Sequence, residues 1–159
     1  SLRARLAGWH IVYVPESIVY HDYRLTFGRR KTYYQERNRY RMLLKTLRWR
    51  TLLALLPALL LAELVSWGFV LLREQKNMGN KPRACIRTFQ EWRQIRAARG
   101  QCQALRRATD RQLLEQMKYR LGYEQTGQGI LPRLAHWAFD PAFWLARGFA
   151  RGLVRLLCA

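Results

Sequence analysis

The side chains that could carry acid–base, metal or thiol chemistry are few in this sequence and lie far apart. They are three histidines, three cysteines and three isolated aspartates: His10, His21, His136, Cys85, Cys102, Cys158, Asp22, Asp110 and Asp140. The sequence contains no CxxC, and its histidines show no zinc-site spacing relative to its cysteines. The aspartates likewise lack the spacing of a metal-ligand set. The odd number of unevenly spaced cysteines predicts reduced thiols in a cytoplasmic setting.

Arginine and lysine dominate the polar side chains, and they predict an anionic partner. The 159 residues include 29 Lys and Arg against 10 Asp and Glu, which gives a net charge of +19 and an isoelectric point near 11.1. Phosphate neutralisation supports generic nucleic-acid binding, yet the sequence contains no RNP signature, helix-turn-helix pattern or zinc finger. The cations alternate with Leu, Trp and Phe, so anionic membrane lipids are favoured as partners over nucleic acid.

The segment from Thr51 to Leu72 is the element around which the chain is organised. Its 22 residues include one charge, Glu63, and one helix breaker, Pro57. As a helix it would reach about 33 Å, against a hydrocarbon core of about 30 Å. Both flanks are basic, so the positive-inside rule gives no orientation. A span, a kinked helix in the interface and a buried helix of a soluble protein all remain open, and the membrane interpretations are favoured.

Two features of this segment predict how it is used. Ala54, Ala58, Ala62 and Ser66 recur every four residues and form a small-residue stripe that another helix could approach closely. Glu63 lies beside that stripe and is expected to face protein, headgroups or water, because a carboxylate in lipid is costly.

The first 20 residues predict a helix end followed by two short strands. Ser1 to Gly8 has the pattern of a helix that terminates at a glycine. Trp9–Tyr13 and Ser17–Tyr20 read as strands, with a turn at Pro15 and Glu16. So small a strand pair is marginal alone, and it predicts a larger sheet with strands upstream of Ser1.

Several strings in the first half of the chain resemble a known family. They are Arg3-Ala-Arg-Leu-Ala-Gly8-Trp9, His10-Ile-Val-Tyr-Val-Pro15-Glu16, Val19-Tyr20-His21, Tyr33-Tyr-Gln-Glu36-Arg37-Asn38-Arg39 and Arg48-Trp49-Arg50-Thr51-Leu52-Leu53. Together they resemble the close of the catalytic domain of bacterial family 2 glycosyltransferases and the segment that follows it. The resemblance covers roughly Ser1 to Arg73, and Arg106-Arg-Ala-Thr109-Asp110-Arg111 resembles an element of related tails.

The resemblance implies a GT-A α/β catalytic domain that transfers a sugar, with inversion, from a nucleotide-sugar donor to a glycan or lipid-linked acceptor. It implies a Mg²⁺ or Mn²⁺ cofactor in the whole enzyme and a place at the cytoplasmic face of the bacterial inner membrane. The family's Asp-x-Asp motif and acidic base belong upstream of Ser1, so this chain is expected to be an inactive C-terminal fragment without catalytic residues. His21 would lie near the metal and donor diphosphate; an ordinary strand-end histidine is an equally open interpretation.

The remainder is predicted to be helical and basic. The second half of residues 24–50 has an aromatic and aliphatic face at three- and four-residue intervals, which fits either an interfacial helix or one packed on the catalytic domain. Gln75–Pro82 reads as a loop, and Ile86, Phe89, Trp92 and Ile95 mark a helix stripe. Thr109 and Gln112 have capping-box spacing, so a helix is expected from Asp110 through Leu121.

The sequence therefore predicts a mainly α chain of membrane-associated helices after a short β remnant. Its expected parts are the end of a catalytic domain (1–28), a basic amphipathic helix (29–50), a spanning or interfacial helix (51–72), a basic helical tail (73–129) and a C-terminal helix lying in the interface or packed on the Leu-rich segment (130–159). The expected membrane contacts are Trp49, Leu56, Leu60, Leu64, Trp67, Trp137, Phe143, Trp144, Arg147, Arg151 and Arg155. A non-enzymatic basic scaffold at the membrane surface is the alternative function.

Overall fold

The computed structural model describes residues 2–20, 30–73, 75–116 and 130–157, and the described chain is mainly helical. Its helices are α1 (Leu2–Leu6), α2 (Lys31–Thr46), α3 (Trp49–Ala54), α4 (Leu56–Arg73), α5 (Asn80–Gln90), α6 (Trp92–Ala104), α7 (Asp110–Glu115) and α8 (Ile130–Leu157). A 3₁₀ turn at Gln75–Asn77 precedes α5. The chain forms two compact units, residues 1–46 with 69–108 and residues 47–68 with 109–159.

Helix α1 ends as its sequence predicts. Gly8 has a φ of +80°, the left-handed conformation that glycine adopts without steric cost. The Trp9 amide donates to the Ala4 carbonyl and the Gly8 amide to the Arg5 carbonyl, both at 3.0 Å. These two bonds form a Schellman motif and satisfy carbonyls that the last helical turn leaves open.

The two strands expected after Gly8 are not seen. Residues 9–20 have no paired strand among the described residues, since a β-strand is defined by a hydrogen-bonded neighbour. The turn is confirmed, because the Ser17 amide donates to the Val14 carbonyl at 3.1 Å across Pro15 and Glu16. The apolar side chains on both sides of this turn are exposed, Tyr20 among them.

In the first unit, α5 and α6 pack against α2 through polar contacts as well as apolar ones. Glu36 on α2 is buried and forms an ion pair with Arg39, as their three-residue spacing predicts. Its Oε1 atom also lies 3.4 Å from Nζ of the buried Lys81 on α5. Glu91, between α5 and α6, pairs with Arg41 at 3.2 Å. Buried carboxylates need cationic partners, so these two glutamates determine which face of each helix points inward.

The stripe of Ile86, Phe89, Trp92 and Ile95 is not one buried helix face. The helix breaks at Glu91, and only Ile95 of the four is buried. The inward face of α5 instead carries Asn80, Lys81, Ala84 and Thr88. This face meets α2 where the buried Glu36 pairs with Lys81. The expected loop is also shorter than predicted, since α5 begins at Asn80 and accommodates Pro82 in its first turn.

Side chains of α6 and of the residues that follow it donate hydrogen bonds to the last backbone carbonyls of α2. The Arg99 side chain donates to the Leu44 carbonyl. The side-chain amide of Gln103 donates through Nε2 to the carbonyls of Lys45 and Thr46, at 3.0 Å each. Arg106 also donates to the Thr46 carbonyl. Cations at a helix C-terminus complement its negative dipole end, so these bonds fix where α2 stops.

In the second unit, α3 and α7 pack against α8. The buried side chains include Leu47, Leu113, Phe143 and Val154, with Ala54 and Ala150 between helices. The expected capping box is confirmed: the Thr109 amide donates to Gln112 Oε1 at 2.8 Å, and the Gln112 amide donates to Thr109 Oγ1 at 3.2 Å. Helix α7 ends at Glu115; Met117, Leu121 and the glycine-containing segment after them lie outside the described residues.

Candidate membrane-contact surface

The predicted Thr51–Leu72 helix is two helices in the structure. Helix α3 ends at Ala54, and α4 begins at Leu56 with Pro57 as its second residue. Pro57 has no amide hydrogen to donate to the Leu53 carbonyl, and its ring clashes with a continuing helix there. The expected kink is therefore a break, located two residues before the proline.

Helix α4 exposes one continuous apolar stripe. The stripe consists of Leu56, Leu60, Leu64 and Trp67, which follow each other at intervals of four, four and three residues and so lie on one helix face. All four are exposed; Leu60 keeps 60% and Leu64 keeps 64% of its surface accessible. These residues are called the α4 stripe below. Contiguous exposed apolar surface of this kind marks a site of interaction with protein or membrane.

The small residues and the glutamate of α4 are less accessible than the leucines of the stripe. Ala58, Ala62 and Ser66 of the predicted small-residue stripe are half-buried, and Ala54 on α3 is fully buried. Glu63 is also half-buried and is not part of the α4 stripe. The small residues of the predicted stripe are thus less accessible than the leucines of the α4 stripe.

No single described helix is both long and apolar enough to cross a membrane. In the described part of the chain, the length and composition needed for a membrane span are reached only by two segments taken together, Leu56–Leu72 and Gln75–Gln90, and the chain bends sharply between them.

Helix α8 combines a buried face with an exposed aromatic face. Trp137, 81% exposed, is accompanied on the surface by Trp144, Leu145 and Phe149. Phe143, only 7% exposed, lies with Ala150 and Val154 on the buried face, and α8 packs against α3 and α7. The inclusion of Phe143 among the membrane contacts is therefore wrong, because its ring fills the core of the second unit.

The predicted cationic stripe of α8 lies beside its buried face. Arg147 and Arg151 follow Phe143 at four-residue intervals, so they share its side of the helix and are half-buried, whereas Arg155 is exposed. Trp49 and Trp67, the other predicted contacts, are partly exposed. Packing and surface exposure thus coexist on α8, which has features of both alternatives that the sequence left open.

Asp110 positions the helix that leads into the α4 stripe. Its carboxylate, in a residue only 1% exposed, accepts hydrogen bonds from the Arg48 amide at 2.9 Å and from the Thr51 hydroxyl. Arg48 is the N-cap residue of α3, and its own side chain makes no capping bond. A carboxylate at this position satisfies orphan donors and complements the positive dipole end of α3.

No role was predicted for Asp110, since its spacing to other acids and histidines is not that of a metal-ligand set. A usable signal was present: Asp110 directly follows the capping residue Thr109, and both belong to one of the strings that carry the family resemblance. Its partners Arg48 and Thr51 belong to another. The structure therefore brings two of the quoted strings into direct contact.

His21, the one residue expected near a metal and diphosphate, lies outside the described residues. Within the described ranges, no three His, Cys, Asp or Glu side chains form a group that could hold a metal ion. The chain matches no family model, no curated protein and no solved structure.

Proposed function

We propose that this chain attaches a larger protein to an anionic membrane surface through its exposed apolar helix faces. The observation that carries this proposal is the α4 stripe, a row of large apolar side chains exposed along one helix of a chain with a net charge of +19. Cations draw the chain to anionic headgroups, each contributing about 1 kcal/mol near the surface. Burial of the stripe then adds about 25 cal/mol per Å² of apolar surface, and salt does not screen this term.

The aromatic face of α8 supports the same proposal. Trp137 and Trp144 are amphipathic rings of the kind enriched at membrane–water interfaces. An interfacial helix needs an apolar face and nearby cations, and Arg155 supplies an exposed charge on this helix.

The larger protein is, on this proposal, an inverting family 2 glycosyltransferase that uses a nucleotide sugar at the cytoplasmic face of a bacterial membrane. The support is the resemblance of the quoted strings, two of which meet at Asp110. Residues 9–20 would then pair with strands of a GT-A sheet. The alternative is a non-enzymatic scaffold at the membrane surface, which the apolar faces support equally well.

The attachment is tested by sedimentation with vesicles of anionic phospholipid in 1 M salt. We expect the wild-type chain to remain bound and to require detergent for release. The triple variant Leu56→Asp, Leu60→Asp, Leu64→Asp should be released by salt, because each aspartate replaces an apolar side chain that salt-resistant attachment needs and places a negative charge beside anionic headgroups.

A matched control carries three aspartates on the exposed side of α6, Gln94→Asp, Ala97→Asp and Gln101→Asp, and should sediment like the wild type. If the wild type is washed off by salt and recovered with nucleic acid, the attachment proposal fails.

The enzyme is tested separately, by reading the codons upstream of Ser1. An Asp-x-Asp motif and an acidic residue just before Ser1 would support the glycosyltransferase, whereas a start codon beside Ser1 would leave the scaffold.

A further inference from the structure

An arginine- and tyrosine-lined cleft of about 550 Å³ opens on the surface of the first unit, between α2 and α5. Its volume falls within the range of small-molecule binding sites. The residues that give it its chemistry are Arg30, Tyr33, Tyr34, Arg37, Arg83 and Arg87. No acidic side chain is among the described residues that line it.

Helix periodicity places these residues along the two walls. Arg30 directly precedes α2, and its carbonyl accepts the Tyr34 amide at 3.1 Å. The next three lining residues of α2 are Tyr33, Tyr34 and Arg37, which lie three, four and seven residues after Arg30. At this spacing all four side chains lie on one helix face. On α5, Arg83 and Arg87 are one turn apart and form the opposite wall.

Ion pairs of two buried glutamates connect the walls. Lys81, 2% exposed, lies on α5 and reaches Glu36 on α2. At the other end of α5, Arg87 Nε donates to Glu91 Oε1 at 2.8 Å, and Glu91 also pairs with Arg41 of α2. The cleft is therefore held open by the packing of the unit, independently of any ligand.

The guanidinium groups of this cleft are only partly neutralised by the protein. Arg37 lies over the rings of Tyr33 and Tyr34, at 5.6 and 5.4 Å from their centroids, and its Nε is buried without a hydrogen-bond acceptor. Neither Arg30 nor Arg83 forms an ion pair with any described residue. Converging cations repel one another, and an anion between them removes that repulsion.

We propose that this cleft binds a phosphate monoester or diphosphate group. Arginine forks bind phosphate oxygens with paired, charge-assisted hydrogen bonds. The two tyrosine rings and Ile86 provide apolar surface for the organic part attached to that group. The site lies within the first unit and does not depend on the α4 stripe or on membrane attachment.

The proposal is tested by titrating the full chain in detergent with pyrophosphate and following heat release. We expect saturable binding that Arg37→Gln or Arg83→Gln weakens about tenfold or more, since each change removes charge-assisted hydrogen bonds to the anion. Arg93→Gln and Arg96→Gln remove the same charge from exposed positions on α6 outside the cleft, and should change the dissociation constant less than about twofold.

The source of the phosphate group is distinguished by a second arm. Vesicles containing phosphatidic acid, whose headgroup is a phosphate monoester, are compared with vesicles of phosphatidylglycerol at equal surface charge. A preference for phosphatidic acid that Arg83→Gln abolishes assigns the site to a lipid headgroup, whereas pyrophosphate binding without that preference assigns it to a soluble phosphate compound.

Two outcomes overturn the proposal: no binding of either probe, or equal weakening by the cleft and α6 variants, which would show a response to total charge alone. Arg83 is exposed, so Arg83→Gln remains informative even if Arg37→Gln disturbs folding. The triple-aspartate variant of the α4 stripe should still bind pyrophosphate, and this result separates failure of membrane attachment from failure of the cleft.

Discussion

The Thr51 hydroxyl donates a hydrogen bond to the carboxylate of Asp110, a residue 59 positions further along the chain. This bond and the one from the Arg48 amide connect the start of α7 to the start of α3. One aspartate therefore determines where the first helix of the Leu-rich segment begins.

Replacing Asp110 should destabilise the second unit measurably. We expect Asp110→Ala to lower the free energy of unfolding by about 2–3 kcal/mol, because it leaves the buried Thr51 hydroxyl and the partly buried Arg48 backbone amide without their acceptor. Asp110→Asn keeps an acceptor oxygen and should cost less. Urea denaturation followed by circular dichroism measures both. Glu115→Ala, which removes an exposed acid from the same helix, should change stability by less than about 0.5 kcal/mol; a loss as large as that of Asp110→Ala would contradict this assignment.

Glycine-to-alanine substitutions at two positions should have opposite effects. Gly8→Ala forces alanine into a left-handed conformation, at a cost of about 1–2 kcal/mol. The added Cβ would lie 3.4 Å from Arg107 Cβ, an ordinary contact, so the cost is conformational. Gly100 lies within α6 with open space around it, and Gly100→Ala should stabilise by about 0.5–1 kcal/mol. Thermal unfolding of the two variants tests the contrast, and a stabilised Gly8→Ala would exclude the left-handed cap.

The neighbouring residues Phe143 and Trp144 should separate stability from membrane binding. Phe143→Ala removes a buried ring and should cost about 3–5 kcal/mol of unfolding free energy. Trp144→Ala removes an exposed ring and should leave stability within about 0.5 kcal/mol. It should nevertheless weaken binding to anionic vesicles, measured by flotation. Unchanged flotation of the Trp144 variant would remove α8 from the proposed contact surface.

His21 provides a test of the glycosyltransferase proposal in the longer protein. If its imidazole lies near the donor diphosphate, His21→Ala should lower turnover at least about tenfold, at or below the low end for one positioned catalytic group. The melting temperature should change little. Wild-type kinetics in this variant would leave His21 a structural role alone.

Local signals in the sequence predicted local structure well. A glycine after a helical pattern predicted the end of α1, and the Thr109–Gln112 spacing predicted the start of α7, because each acts through bonds within a few residues. Pro57 predicted a kink, and the structure has a break between α3 and α4 at that place. The mainly helical fold followed from the same periodicities. Asp110 could not be assigned in this way, since its partners are about 60 residues distant in the chain.

The inward face of α5 and the cleft were unpredictable for a related reason. Apolar periodicity assumes that helices bury their apolar residues, whereas α5 buries Lys81 against Glu36. Which side of α5 faces α2 therefore depended on a residue in another helix. The arginine rows of α2 and α5 were visible in the sequence, but their convergence on one cleft appears only when the two helices pack.

The buried positions of Glu36, Glu91 and Asp110 have a kinetic consequence. These carboxylates are committed to internal partners, so they do not face the solvent, and the potential at the surface follows the net charge of +19. Such a field accelerates diffusional encounter with anionic surfaces, and the association rate constant should fall steeply as ionic strength rises. The dissociation rate, by contrast, should follow the area of leucine and tryptophan that the α4 stripe buries. On the proposed attachment, the rate of capture and the residence time would therefore be controlled by different residues.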